Sequence, residues 1–308
     1  MVTAAVARML LVTDRNTLQW LYVDSPLTEE ASEVLYKLPN LSSLSVVIDR
    51  KALLPSASLP NLTELTITCD DEDDWPRLFH GATLEKLESV TFYPQSEQIG
   101  DFLGTFEVAA LSSSAQNALS GFYLFTQYSW NPNYSSLLPF TQMMEIHVES
   151  PCDDGCSSTV DDDIVIDLSR AMPKLKVLKL GGDPCSQFTT GITVKGLLAL
   201  AYHCPNLSVL RIHFHVASLS EPPASPGTIP NAKSTVSWTD CALTDLEVGE
   251  TSVSEESVLM VSLTLLRIFP RIETIDGADE GWAKVRGAIN RSKGIIDCSS
   301  KQHPLTTP

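Results

Sequence analysis

Apolar residues recur along this chain in a fixed local spacing, at i, i+3 and i+5. The spacing is plainest in LPNLSSLSV and LPNLTELTI, where Leu41, Leu44 and Val46 are answered 21 residues later by Leu62, Leu65 and Ile67. The last two positions of each trio alternate with polar residues, as in a strand with one buried face, and the first sits at the turn into it. One such unit buries too little apolar surface to stand alone, so the spacing matters through its recurrence. It returns at Leu18, Leu21 and Val23; Leu87, Val90 and Phe92; Leu119, Phe122 and Leu124; Met143, Ile146 and Val148; Leu175, Leu178 and Leu180; Leu207, Leu210 and Ile212; Leu243, Leu246 and Val248; and Ile272 with Ile275.

Between these strands the pattern predicts helices over residues 28–38, 101–111, 163–171 and 193–203, and over 255–269 with Ser254 as cap and Pro270 as stop. Residues 1–12 read as the helix of a partial first repeat. A helix over about 281–295 is expected to cover the last strand, because an open end would leave core in water. Pro222, Pro223, Pro226 and Pro230 exclude a regular helix from Glu221 to Asn231. A 21-residue period with this spacing falls inside the ~20 to 29 of a leucine-rich repeat. The expected fold is therefore an α/β leucine-rich-repeat solenoid, with a curved parallel sheet on the concave side and helices and loops on the convex side. Repeat steps of 21 to 36 residues make it irregular, with the register of repeats four to six the least fixed. Residues 1–296 form one domain of about ten repeats in this reading, and 297–308 a disordered tail.

In such a solenoid the polar positions between the buried ones face outward along the inner curve. That rule selects Trp20, Tyr22 and Asp24; Ser43 and Ser45; Glu64, Thr66 and Thr68; Thr91 and Tyr93; Tyr123; Glu145, His147 and Glu149; Lys179; Arg211 and His213; and Asp245 and Glu247. Trp, Tyr and Arg are the residue types that most often anchor interfaces, so Trp20, Tyr22, Tyr123 and Arg211 lead this list. His213 and His215 read as an i, i+2 pair on one strand, as titrating surface groups and not as metal ligands.

Charge narrows the partners. With 21 basic against 38 acidic residues the net charge is −17, which repels phosphate backbones and anionic membranes. Neither nucleic acid nor membrane is expected to bind, and no apolar run reaches the ~18 residues of a membrane span. Five consecutive acids, Asp70 to Asp74, read as a solvated loop on the rim. Seven cysteines, odd in number and scattered, suit reduced thiols in a cytoplasmic or nuclear protein. Cys152 and Cys156 lack the second pair that would make a zinc signature. No nucleophile elbow, H-E-x-x-H or phosphate-binding glycine loop is present, so neither a catalytic residue nor a cofactor is expected.

LPNLSSLSV, LPNLTELTI, MPKLKVLKL and CPNLSVLRI, each introduced by Pro-Asn or Pro-Lys, resemble the leucine-rich repeats of F-box proteins, particularly the divergent ones of fungi. The closing VLMVSLTLLRIFPRIETIDG and GWAKVRGAINR are similar to the last helix, strand and capping helix of that family. The resemblance spans roughly residues 18 to 293 and implies a non-catalytic module whose repeats capture a target protein for a cullin ubiquitin ligase. In that family an F-box ahead of the repeats docks on a Skp1-type adaptor. Here 17 residues precede the first strand, too few for a three-helix F-box, so no adaptor-binding residue is carried over. The alternatives are a GTPase activator of the leucine-rich-repeat kind, using an exposed Arg such as Arg211, and a stand-alone scaffold.

Overall fold

The computed structural model describes residues 17–26, 34–35, 38–48, 59–69, 76, 84–96, 101–112, 114–127, 132–150, 160–181, 191–220, 240–248, 252–277 and 279–300. Ten strands cross them: β1 (Trp20–Pro26), β2 (Ser43–Ile48), β3 (Glu64–Cys69), β4 (Ser89–Pro94), β5 (Gly121–Phe125), β6 (Glu145–Glu149), β7 (Val177–Leu180), β8 (Val209–Arg211), β9 (Asp245–Glu247) and β10 (Thr274–Asp276). They form one open sheet in sequence order, and every neighbouring pair is parallel. Parallel neighbours cannot be joined by a tight hairpin, so each connection must carry the chain back along the strand. Among the described residues, these returns and the end hold the helices α1 (Phe102–Ser112), α2 (Asp162–Ala171), α3 (Val194–His203), α4 (Val258–Ile268) and α5 (Glu280–Ser300).

The entry to each strand is set by a short turn. Leu41 N–H donates to Leu38 O, Leu62 to Leu59 (3.1 Å), Leu175 to Met172 (3.1 Å), Leu207 to Cys204 (3.1 Å) and Ile272 to Phe269 (3.2 Å). Pro39, Pro60, Pro173, Pro205 and Pro270 occupy the second position of these turns, where a φ fixed near ~−65° fits without strain.

Next to the turn runs a backbone ladder. The carbonyls of Gln19, Ser42, Thr63, Glu88, Ser120, Met144, Lys176, Ser208 and Thr244 each accept two N–H groups from the following repeat, at 2.7 to 3.1 Å. The hydroxyls of Ser42, Thr63, Ser120 and Ser208 donate to the same carbonyls at 2.9 to 3.2 Å. Because the ladder is made of main chain, it holds register whatever the length of the insert between repeats.

The register is continuous. Leu21, Leu44, Leu65, Val90, Phe122, Ile146, Leu178, Leu210, Leu246 and Ile275 lie side by side as one row, all buried, which places repeats four to six in line with the rest. A second buried row runs Val46, Ile67, Phe92, Leu124, Val148 and Leu180. These rows and the inner sides of the helices form one core. Where the rows enlarge to Phe92 and Phe122, α1 supplies Phe102 and Phe106, and the rings meet at 4.8 to 6.0 Å. At the far end α4 packs on α5, and Trp282 is buried with its ring edge-on to Phe214 at 6.0 Å.

Several expected boundaries shift. Asp161 caps α2 through Ile164 N–H and Thr193 caps α3 through Lys195 N–H. Ser254 makes no cap bond; its Oγ meets Ser257 Oγ at 2.9 Å, and a 3-10 turn over Glu255–Ser257 precedes α4. Helix α5 continues to Ser300, past Asp297 where a tail was expected. The expected N-terminal helix, the Asp70–Asp74 run, the Cys152/Cys156 pair and the proline-rich segment lie outside the described residues. So does most of the 28–38 helix, of which Val34, Leu35 and Leu38 are described and buried.

Candidate functional site

The sheet's other face carries no helix among the described residues, and side chains alternate onto it by the two-residue period of a strand. Its central row reads Tyr22, Ser45, Thr66, Thr91, Tyr123, His147, Lys179, Arg211, Glu247 and Asp276. The flanking row reads Trp20, Ser43, Glu64, Ser89, Gly121, Glu145, Val177, Val209, Asp245 and Thr274. A third, partial row holds Thr68 and Tyr93 beyond β3 and β4, and Phe125 and Glu149 beyond β5 and β6. The expected surface residues therefore do converge on one face, with one exception.

That exception is His213, which is 6% exposed. Strand β8 ends at Arg211, so the alternation that would have turned His213 outward stops before reaching it. Its imidazole packs under Gly181, whose φ of 105° is left-handed; a Cβ there would come within 3.2 Å of His213 Cδ2. His215 is exposed beyond the strand, so the two histidines share no strand face. Asp24 is exposed on β1 where the pairing with β2 slips between Tyr22 and Pro26.

The open face changes character along the sheet. At β1, Trp20 and Tyr22 are 63% and 58% exposed, their rings nearly parallel with centroids 6.4 Å apart. Small hydroxyl residues of β2 and β3 follow, then a stacked pair, Tyr93 and Phe125, at 5.4 Å. In the middle, Gly121 leaves room for the Tyr123 ring, which a Cβ would approach to 2.9 Å. The phenol leans across the strands to donate to Glu145 Oε2 at 2.5 Å, and its other neighbour is the His147 ring at 4.9 Å. Burial and the carboxylate beside it raise the Tyr123 hydroxyl far above its ordinary value, so it remains a donor. Burial, with the Lys179 charge next in line, lowers His147, and its Nε2 finds no hydrogen-bond partner among the described residues. The imidazole is thereby held neutral.

The charged end is a network. Arg211 reaches Glu149 Oε1 at 3.2 Å and Glu247 Oε2 at 3.6 Å, and Lys179 Nζ reaches Glu247 Oε1 at 3.1 Å. Both cations are engaged by the protein's own carboxylates. Asp245 accepts from the hydroxyls of Thr244 and Thr274 at 2.6 and 2.5 Å, which lowers its pKa and keeps it charged. Against Lys179 and Arg211 this face thus sets seven carboxylates: Asp24, Glu64, Glu145, Glu149, Asp245, Glu247 and Asp276.

Cys204 is buried, and desolvation together with nearby Cys241 pushes its thiol up to about 12, which leaves it protonated and inert. Among the described residues no three His, Cys, Asp or Glu side chains converge to hold a metal ion. Among the same residues no helix is long and apolar enough to cross a membrane. Sequence reasoning missed Ser89, Gly121, Phe125, Val177, Val209, Thr274 and Asp276 on the open face. The same two-residue alternation, carried one step to either side of Thr91, Tyr123, Lys179 and Arg211 and applied about Ile275, would have found them.

The fold and this face define the class of architecture: an α/β chain with an open, all-parallel sheet of ten strands, one face buried and one uncovered by any described helix. No protein-family model matches the chain, and no curated protein matches it.

Proposed function

We propose that this chain is a non-catalytic protein-binding module, a leucine-rich-repeat solenoid whose open sheet face, the concave side of that architecture, seats a partner protein. The observation that carries the reading is the pair Trp20 and Tyr22, large aromatic side chains standing in solvent on the same face as a row of aligned polar groups. Exposed aromatics rimmed by polar residues are the usual anchors of protein interfaces. The LPN and MPK turns and the buried rows support a relationship to the substrate-recognition repeats of F-box proteins, in which capture of a target serves ubiquitin transfer. A GTPase-activator role relies on a free arginine, and Arg211 is held between Glu149 and Glu247. Affinity capture with the full chain, compared with a Trp20→Ala, Tyr22→Ala, Arg211→Ala variant, tests the reading. It expects a protein retained by the first and lost by the second; identical captures from both would contradict it.

A further inference from the structure

Among the described residues, the open face sets seven carboxylates against two cations. Its two cations are already engaged, Lys179 by Glu247 and Arg211 by Glu149 and Glu247. Asp24, Glu64 and Asp276, by contrast, are exposed and have no cationic partner among the described residues. Asp24 and Glu64 lie near the aromatic end: Glu64 is in the same row as Trp20, two strands over, at about 10 Å for ~4.8 Å per strand step. Asp24 follows Tyr22 by two residues on the same strand. An exposed aromatic face bordered by carboxylates attracts cationic side chains twice, through the ring quadrupole and through charge. A second carboxylate group, Asp245 with Asp276, waits at the opposite end of the sheet.

Resting on the binding role above, we infer that the partner presents an extended basic segment, its Lys or Arg side chains meeting Trp20, Tyr22, Asp24 and Glu64 at one end of the sheet and Asp276 at the other. Nine strand steps separate these ends, roughly 40 Å at ~4.8 Å each, which an extended segment of about a dozen residues spans. Between the ends the face holds the hydroxyls of Ser45, Thr66 and Thr91, then Tyr123 with Glu145, and cations already paired within the protein, Lys179 with Glu247 and Arg211 with Glu149. A phosphate-bearing or acidic partner would meet repulsion at both ends.

The test uses the full chain and three fluorescein-labelled synthetic peptides of equal length, one alternating Arg with Gly and Ser, one with Glu in place of Arg, and one with Gln. Binding is followed by anisotropy against wild type, Trp20→Ala/Tyr22→Ala, Asp24→Asn/Glu64→Gln, and Asp167→Asn/Glu256→Gln. The last removes the same charge from exposed positions on helices. The Arg peptide is expected to bind and the others not, with each open-face pair weakening it roughly tenfold and the helix-side pair changing it by less than about twofold. No binding of the Arg peptide, or equal weakening by the helix-side pair, overturns the inference. So does a natural partner captured through Trp20 and Tyr22 whose contacting segment is acidic or apolar, a result that leaves the binding role itself standing.

Discussion

Leu178 of β7 lies in register beside Leu210 of β8, across a step of 32 residues that holds the whole of α3. Leu44 and Leu65 stand in the same relation across a step of 21 residues. Equal geometry from unequal spacing follows from the carbonyl ladder, which fixes each strand to its predecessor before the insert has any say. Leu178→Ala and Leu210→Ala are expected to lose about 2–5 kcal/mol each, the cost of deleting a buried leucine and leaving a cavity. Their double variant couples, because the side chains are neighbours. Chemical denaturation measures this; strictly additive, small losses would contradict a shared spine.

A single carboxylate stitches two helices. Asp162, at the start of α2, accepts from Thr193 N–H (2.8 Å), Thr193 Oγ1 (2.6 Å) and Gly196 N–H (2.9 Å) at the start of α3. Asp162→Ala should cost about 1–3 kcal/mol, because it strands these donors at a helix N-terminus. Asp167→Asn, on the exposed side of α2, should stay within about 0.5 kcal/mol. Denaturant midpoints of the two variants decide, and equal midpoints would remove the stitch.

Two glycines of α5 should respond with opposite sign. A Cβ on Gly281 would stand 2.2 Å from the Val253 carbonyl oxygen, whereas on Gly287 it would meet nothing nearer than Arg291 Nη1 at 3.5 Å. Gly281→Ala therefore forces main chain apart and loosens the end of the sheet, while Gly287→Ala gains about 0.5–1 kcal/mol from reduced freedom of the unfolded chain. Thermal melting should show Tm falling for the first and rising for the second. A rise for both would mean that α5 does not sit against Val253.

Acid should destabilise the protein. His147 and His203 are both held below the ordinary imidazole value by burial, helped by Lys179 and by Arg170 respectively. Each binds a proton more readily when unfolded, so stability rises with pH across the window between the folded value and the ordinary ~6.5, and falls as pH drops through it. Asp245 and Asp279, lowered by hydrogen bonds, contribute stability above the ordinary ~3.9 that is lost further down, with the same sign. Tm should fall between about pH 7 and about pH 5, and His147→Gln/His203→Gln should flatten that slope. An unchanged slope in the double variant would contradict the assignment.

Much of this architecture was legible in the residues. The i, i+3, i+5 spacing places nine strands and its i, i+3 half the tenth, because a buried position in a repeating sheet leaves few substitutes for Leu, Ile, Val or Phe, as the aligned row from Leu21 to Ile275 records. The site was legible as far as alternation holds. It failed at His213, where β8 stops and the chain leaves the sheet, and local pattern carries no signal for that departure. The pairing of Arg211 with Glu149, 62 residues away, is likewise a consequence of register and not of spacing. Ser254 shows a third kind of limit, since a hydroxyl at the right position found a neighbouring hydroxyl before a backbone donor.

The binding role is tested most directly by asking which face touches the partner. A photo-crosslinking residue is placed at Thr66 on the open face, or at Asp167 on the outer side of α2, and the full chain is irradiated with a captured partner. The account predicts a covalent adduct from position 66 and none from 167. Adducts from 167 with none from 66 would contradict it.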